Sequence, residues 1–148
     1  MMEASLYSCY EIFRIKEVNM SKKTIKPTDS ELEVLQVLWH KGACSVREVN
    51  DLLNEDREVG YTTTLKIMQI MLDKELVTRN TDSRTHIYKA GVSESDVQNQ
   101  LLNKFVQTTF RGSASRLVLQ LLGNHQANAV ELDEIKSLIE QLEKEQPK

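Results

Sequence analysis

The chain has 148 residues, of which 40% are apolar and 28% are charged, as is ordinary for a soluble globular protein. No apolar run approaches the roughly 18 residues that a membrane-spanning helix needs, so we expect no membrane insertion. The net charge of −3, with 11 basic and 11 acidic residues over 20–91, excludes a general attraction for nucleic acid.

Residues 1–19 differ from the rest of the chain. They lack the charged start, continuous apolar stretch and cleavage site of a secretory signal. Met20, followed by Ser-Lys-Lys, looks like a natural start. We expect residues 1–19 to be either a non-native extension, read from a start codon placed too far upstream, or a genuine disordered one.

Two helices are predicted next, each opened by a capping box. Thr28 precedes Glu31 by three residues, and Ser45 precedes Glu48 by three residues. Gly42 is expected to end the first helix. Apolar stripes at helical spacing follow the two caps: Leu32, Leu35, Leu38 and Trp39, then Val46, Val49, Leu52 and Leu53.

A third, longer helix and a hairpin follow the charged loop 54–60. The helix opens at Tyr61, and β-prone runs at 76–80 and 85–89 flank the polar turn 81–84. Three helices followed by a hairpin is the order of a winged helix-turn-helix, which we assign to residues 20–92. We expect the buried side of the third helix to consist of Leu65, Met68, Met71 and Leu72.

Residues 93–148 predict three helices with a wide apolar face. Ser93 and Asp96 mark the start of the first, the second is expected to stop at Gly123, and the third spans Ile135 and its neighbours. So few residues favour a helical dimerisation domain over an intramolecular core, the alternative. The predicted fold is thus mainly α with a small β-hairpin wing. Dimer contacts are expected at Leu101, Phe105, Leu117, Leu121, Ile135, Leu138 and Leu142.

The third helix of a winged helix enters the major groove, so its solvent face carries the candidate binding residues. The threonines at its start can offer hydroxyl and N–H groups to phosphate, and Lys66 is the best candidate for a guanine contact. Arginines on the hairpin suit phosphate or the minor groove. The alternative is a solvated helix whose threonines serve only as caps. The predicted DNA contacts are Thr62, Thr63, Thr64, Lys66, Ile70, Arg79 and Arg84.

Cysteine and histidine usage gives no sign of a metal, a cofactor or catalysis. Cys9 and Cys44 form no CxxC pair, which favours a reducing cytoplasm over a disulfide scaffold. His40, His86 and His125 are scattered, whereas metal sites need clustered ligands. Neither a nucleophile–base pair nor a phosphate-cradling glycine loop is visible, so we expect no enzyme.

The runs 28–39 (TDSELEVLQVLW), 45–49 (SVREV) and 61–65 (YTTTL) together resemble the penicillinase and methicillin-resistance repressors (BlaI/MecI) and their copper-responsive relatives (CopY). The hairpin run His86-Ile-Tyr88 and the tail 132–135 fit the same pattern. The resemblance covers about residues 23–145. It implies a homodimeric repressor on a pseudo-palindromic DNA operator, with Thr63, Thr64 and Lys66 contacting bases or phosphates. In the antibiotic-responsive branch, a membrane sensor with a zinc-metalloprotease domain triggers cleavage of the repressor and relieves repression.

This sequence departs from the family pattern at several points. Ile70 stands where arginine is frequent, which should change the operator that is read and could set Ile70 on a thymine methyl. Glu75 stands where many members have glycine, so the end of the third helix is expected to differ. Lys104-Phe105 aligns with the scissile Asn-Phe bond of the penicillinase branch, so cleavage here is expected either to follow another rule or not to occur. The copper branch's carboxy-terminal cysteine cluster is absent, so we expect no direct copper sensing. The neutral charge and Ile70 keep one alternative open, a winged-helix protein-interaction module that does not bind DNA.

Overall fold

The structure, a computed structural model, describes residues 25–124 and 126–146. The hypothesis about residues 1–19 therefore lies outside the described residues. Within them are six helices and three short strands, which confirms the predicted mainly helical class. In chain order these are α1 (Asp29–Lys41), β1 (Cys44–Ser45), α2 (Val46–Asp56), α3 (Tyr61–Asp73), β2 (Val77–Asn80), β3 (Ile87–Ala90), α4 (Glu94–Thr109), α5 (Ala114–Asn124) and α6 (Ala129–Glu145).

Both predicted capping boxes are formed. The Thr28 hydroxyl accepts the Glu31 N–H at 3.3 Å, and the Glu31 carboxylate accepts the Thr28 N–H at 3.0 Å. The equivalent distances for Ser45 and Glu48 are 3.3 and 2.7 Å. Gly42 ends α1 with a φ of 93°, a left-handed conformation that glycine adopts without strain. The starts of α1 and α2 are thus fixed by local sequence.

The wing is a hairpin of β2 and β3 in a three-stranded antiparallel sheet of order β1-β3-β2. The predicted hairpin is confirmed, with Val77 opposite Ala90 at one end and Asn80 opposite Ile87 at the other. The third strand, β1, was not predicted. It has two residues, too few to show alternation, and it exists because Cys44 pairs with Tyr88.

The core lies between α1, α2, α3 and the sheet. Its fully buried members come from all of these elements: Val34, Leu35, Cys44, Val49, Met68, Met71, Val77 and Tyr88. The predicted buried side of α3 is confirmed for Met68 and Met71, and Leu65 and Leu72 pack half-buried against the same core. Thr64, which was not predicted on that side, is fully buried. The Trp39 indole N–H donates to the Val92 carbonyl at 2.9 Å, which holds the exit from β3 against α1.

The connection from α3 to β2 has the backbone pattern of a Schellman motif. The Leu76 N–H donates to the Met71 carbonyl at 2.9 Å, and the Glu75 N–H donates to the Leu72 carbonyl at 3.0 Å. Glu75 has a φ of 61°, the conformation that glycine usually supplies at this position. The absence of glycine has therefore not removed the left-handed residue; glutamate adopts the same conformation.

The described residues divide into two compact units, one ending at Leu101 and one beginning at Leu102. The predicted boundary at 92/93 lies before α4, whereas the first unit includes the first turns of α4, where Val97 is fully buried. In the second unit α5 continues through Gly123, which was expected to end it. Asn128 and Glu131 form a capping box at α6. Within the described chain, no helix is both long and apolar enough to cross a membrane.

Candidate nucleic-acid interface

The solvent face of α3 carries most of the predicted contact residues. Thr62, Thr63, Lys66 and Ile70 are exposed, Ile70 to 41%. Gln69, one turn beyond Lys66, is also exposed and was not predicted, although helical spacing places it there. The face therefore presents two hydroxyls, an ammonium, an amide and an apolar side chain over about two and a half turns.

The start of α3 differs from the starts of α1 and α2. Its N-cap is Gly60, and no described side chain caps it. Helix geometry leaves the N–H groups of the first turn without an intrahelical partner, and the helix dipole adds partial positive charge there. This end of α3 is thus electrostatically suited to an anion such as a phosphate.

The predicted DNA contact of the Thr64 side chain requires correction. Thr64 is fully buried, and its hydroxyl accepts a hydrogen bond from the Asn50 amide at 2.8 Å. The hydroxyl is also 3.4 Å from the Gly60 carbonyl, to which it can donate. The sequence pattern misassigned Thr64 because a buried polar partner on α2 turns it inward.

A groove of about 740 Å³ runs between the starts of α2 and α3 and the wing. Of the two predicted wing arginines, Arg84 lines this groove and Arg79 does not; Arg79 is exposed on β2. Arg47, on the first turn of α2, and Tyr61, which is 48% exposed, also line it. Sequence reasoning missed both. Tyr61 directly precedes the threonines, but Arg47 had no signal of its own within the Ser45–Glu48 box.

Two acidic groups of the winged-helix unit, Glu48 and Glu31, are held by other contacts. Hydrogen bonds from the backbone and hydroxyl of Ser45 lower the pKa of Glu48, whose carboxylate is held in the α2 capping box. Lys74, at the end of α3, pairs with the buried Glu31 carboxylate at 2.7 Å. Among the described residues, by contrast, Lys66 is in no salt bridge. Lys66 is therefore the α3 cation available for a ligand.

The free thiol of Cys44 lies in the core rather than at this surface. Burial raises its pKa, the nearby Glu48 charge adds to the rise, and Lys41 opposes it. The thiol donates to the Gly42 carbonyl at 3.3 Å. These features are those of a packed structural cysteine. The described residues contain no group of three or more potential metal ligands.

The second unit exposes an extensive apolar surface. Four of the predicted dimer residues, Phe105, Leu121, Leu138 and Leu142, are 47–56% exposed, and Leu117 and Ile135 are half-buried. Leu101, also a predicted dimer residue, is half-buried at the end of the first unit. In the described parts of α5 and α6, no residue is buried. The Lys104-Phe105 bond lies inside α4, where the Phe105 ring packs edge-on against Phe110 at 5.6 Å. Further exposed apolar residues of this unit are Leu102, Val118, Leu119, Leu122, Val130, Leu132 and Ile139.

Residues 27–141 match the family model described as Penicillinase repressor. The penicillinase repressor of Staphylococcus aureus is 22% identical over 125 residues, covering 84% of this chain and 99% of that protein. The methicillin resistance regulatory protein MecI of Mammaliicoccus sciuri is 22% identical over 120 residues, covering 81% and 98%. The transcriptional regulator BlaI of Mycobacterium tuberculosis is 28% identical over 118 residues, covering 78% and 83%.

Solved structures of two DNA-bound regulators are among those similar to this chain. Monomeric BlaI of Bacillus licheniformis, in complex with the blaP half-operator, is 24% identical and has a TM-score of 0.44, covering 50% of this chain and 90% of that one. A MarR mutant from E. coli, complexed with operator DNA, is 16% identical and has a TM-score of 0.42, covering 96% and 94%.

Proposed function

The chain belongs to the penicillinase repressor family, and we propose that it is a DNA-binding transcriptional repressor that acts as a cytoplasmic homodimer on a pseudo-palindromic operator. One observation carries the DNA-binding part. The uncapped start of α3, the exposed Lys66 and the groove arginine Arg84 belong to the same winged-helix unit, whose overall charge is neutral. The local placement of these groups thus supplies the electrostatic attraction for DNA that the neutral overall charge does not.

In this proposal α3 is the recognition helix and lies in the major groove. The N–H groups and hydroxyls at Thr62 and Thr63 bind a phosphate and fix the position of the helix. Lys66 donates to guanine, and the Gln69 amide suits adenine. Ile70 can contact a thymine methyl, which would make the preferred sequence differ from that of relatives with a cation there.

The wing and the first turn of α2 supply the remaining phosphate contacts. Arg84 and Arg47 line the groove beside the recognition helix, and the exposed Arg79 lies on β2 outside that groove. Contacts to phosphate strengthen binding to any sequence and make it sensitive to salt. A neutral winged helix offers few such contacts, so two copies on one site would double them.

The second unit supplies the proposed dimer contacts. An exposed apolar surface of this extent on a helical unit of so few residues favours association with a second copy. We expect Leu138→Asp to yield a monomer in sedimentation velocity, because it places a charge in the apolar contact. The matched variant Ser137→Asp, at an exposed polar position of the same helix, should remain a dimer. A dimeric Leu138→Asp variant would contradict this assignment.

Relief of repression by a membrane sensor metalloprotease is proposed to act at the Lys104-Phe105 bond. Cleavage there would separate the winged helix from all of α5 and α6. Because the bond lies within α4, local opening of the helix must precede cleavage. Mass spectrometry of the repressor after induction of the cognate sensor should show one fragment that ends at Lys104 and one that begins at Phe105. An intact chain after induction would refute proteolytic control at this bond.

The test of DNA binding is a fluorescence-anisotropy titration with the duplex upstream of the chain's own gene and a random duplex of equal length. Affinity should fall steeply between about 50 and about 200 mM salt. Lys66→Ala should cost about 1–3 kcal/mol on the operator alone, whereas Arg84→Ala should weaken both duplexes and flatten the salt dependence. Equal, salt-insensitive binding to both duplexes would favour the alternative, a winged-helix module that contacts protein.

A further inference from the structure

A buried hydrogen-bond network joins α2 to the start of α3. Asn50, on α2, is buried, and its amide donates both to the Thr64 hydroxyl at 2.8 Å and to the Val59 carbonyl at 3.0 Å. Asn54, one turn further along α2, donates to the Val59 carbonyl at 2.9 Å and accepts the Val59 N–H at 3.0 Å. Two asparagines of α2 thus hold the loop that leads into α3.

Thr64 continues this network into the first turn of α3. Its hydroxyl lies 3.4 Å from the carbonyl of Gly60, and its N–H donates to the same carbonyl at 3.1 Å. Gly60 is the N-cap of the helix and has no side chain with which to fix the turn. The Asn50–Thr64 hydrogen bond therefore ties the first turn of α3 to α2, while the N–H groups of that turn remain uncapped by any described side chain.

We propose that Asn50 and Thr64 are positioning residues for DNA recognition, which they serve without touching DNA. Thr63 directly precedes Thr64, and Thr62 is one residue further away, so the network fixes the turn that offers these N–H groups and hydroxyls. Lys66 lies about half a turn after Thr64 on the same helix. The inference rests on the proposed function, since a positioned helix start matters only if α3 reads DNA.

The burial and hydrogen bonding of Thr64 fit a positioning role and leave no direct contact with DNA. A fully buried hydroxyl already paired to Asn50 gives DNA no direct bond. Removing it leaves one hydrogen of the Asn50 amide without its partner, while the bond to Val59 keeps the loop attached. Valine has nearly the shape of threonine, so Thr64→Val removes the hydrogen bond with little change in packing volume. Thr64→Ser keeps the hydroxyl and loses only a methyl.

The test compares these variants on two duplexes. The specific probe is the duplex that the wild-type protein enriches from a pool of random sequences, and the second is a random duplex of equal length. Thr64→Val loses one neutral hydrogen bond that holds the helix start, so its affinity for the specific duplex should fall about tenfold. Random-duplex affinity should change by less than about twofold, because phosphate attraction tolerates a displaced helix. Thr64→Ser should restore most of the specific binding.

Controls separate this role from a loss of fold. Unfolding of each free protein is followed by circular dichroism, so that affinity is compared only among folded variants. Thr108→Val removes a hydroxyl-to-carbonyl bond of 2.9 Å in α4, far along the chain from α3, and should retain specific binding. Should Thr64→Val not fold, Asn54→Ala, which breaks the exposed end of the network, should lower specific binding in the same direction.

Two results would overturn the inference while leaving the proposed function in place. One is wild-type specific affinity in a folded Thr64→Val variant. The other is a loss for Thr64→Ser as large as that for Thr64→Val, which would show that any disturbance of this buried position lowers specific binding and that keeping the hydroxyl does not preserve it. A wild-type protein that enriches no duplex would instead overturn the proposed function, and the inference with it.

Discussion

The left-handed residue at the end of the recognition helix gives a stability prediction whose sign depends on one backbone angle. Glu75 has a φ of 61°, where a Cβ costs an L-residue about 1–2 kcal/mol and glycine is unstrained. The hydrogen bonds of this turn join backbone atoms only, Leu76 to Met71 and Glu75 to Leu72. Glycine at position 75 can form both bonds, so the turn should survive the substitution.

We expect Glu75→Gly to be more stable than Glu75→Ala by about 1 kcal/mol, because part of the relieved strain is offset by the greater entropy of glycine in the unfolded chain. Both variants remove the same carboxylate, so any contact of the Glu75 side chain cancels in the comparison. The difference corresponds to about 4–8 °C in Tm for a unit of this size. Urea and thermal unfolding, followed by circular dichroism, measure it.

Gln69 provides the matched control on the same helix. It is exposed within α3, where glycine costs about 1 kcal/mol relative to alanine. Alanine should therefore give the more stable variant at position 69, and glycine the more stable variant at position 75. The strain assigned to Glu75 would be refuted if Glu75→Gly were no more stable than Glu75→Ala while Gln69→Gly showed the expected loss of stability relative to Gln69→Ala.

Two further predictions concern packing and pH. A Cβ at Gly91 would lie 3.0 Å from the Glu75 carbonyl oxygen, so Gly91→Ala should destabilise the fold by about 1–3 kcal/mol in urea unfolding. Gly123→Ala should not destabilise the fold, because a Cβ at this position in α5 has no described neighbour within 4 Å. A loss of stability as large as that of Gly91→Ala would contradict the steric explanation. Because folding lowers the pKa of Glu48 below its ordinary 4.5, its stabilising contribution is present above that pH and is lost as the pH falls through the lower folded value. Glu48→Gln should therefore be less stable than wild type at neutral pH, and the gap should close in acid; a gap independent of pH would argue against the capping role.

The chain's local signals were read correctly where a few neighbouring residues determine the structure. The Thr28–Glu31 and Ser45–Glu48 boxes, and the helix end at Gly42, depend on contacts three or four residues apart. The family resemblance likewise rested on short runs, which the match over residues 27–141 confirms. The Asn128–Glu131 box was equally visible in the sequence but was not identified.

Contacts distant in sequence decided the rest. The two residues of β1 form a strand only because β3 lies beside them, and Gly123 remains helical because its neighbours continue α5. The apolar stripe of α3 left its rotation uncertain by about one residue, or roughly 100°. The stripe therefore placed Leu65 on the buried side and left Thr64 among the solvent-facing threonines.

The sequence by itself determined the order of the helices and the wing hairpin, the caps of α1 and α2, the exposed Lys66 and the glycine-free end of α3. Only the tertiary structure decided that Thr64 faces inward, because its partner Asn50 lies 14 positions away on another helix. It also brought Arg47 to the groove that Arg84 lines. Periodicity identifies the face of a helix that can be buried, whereas a polar side chain is buried only where the fold supplies its hydrogen-bond partner.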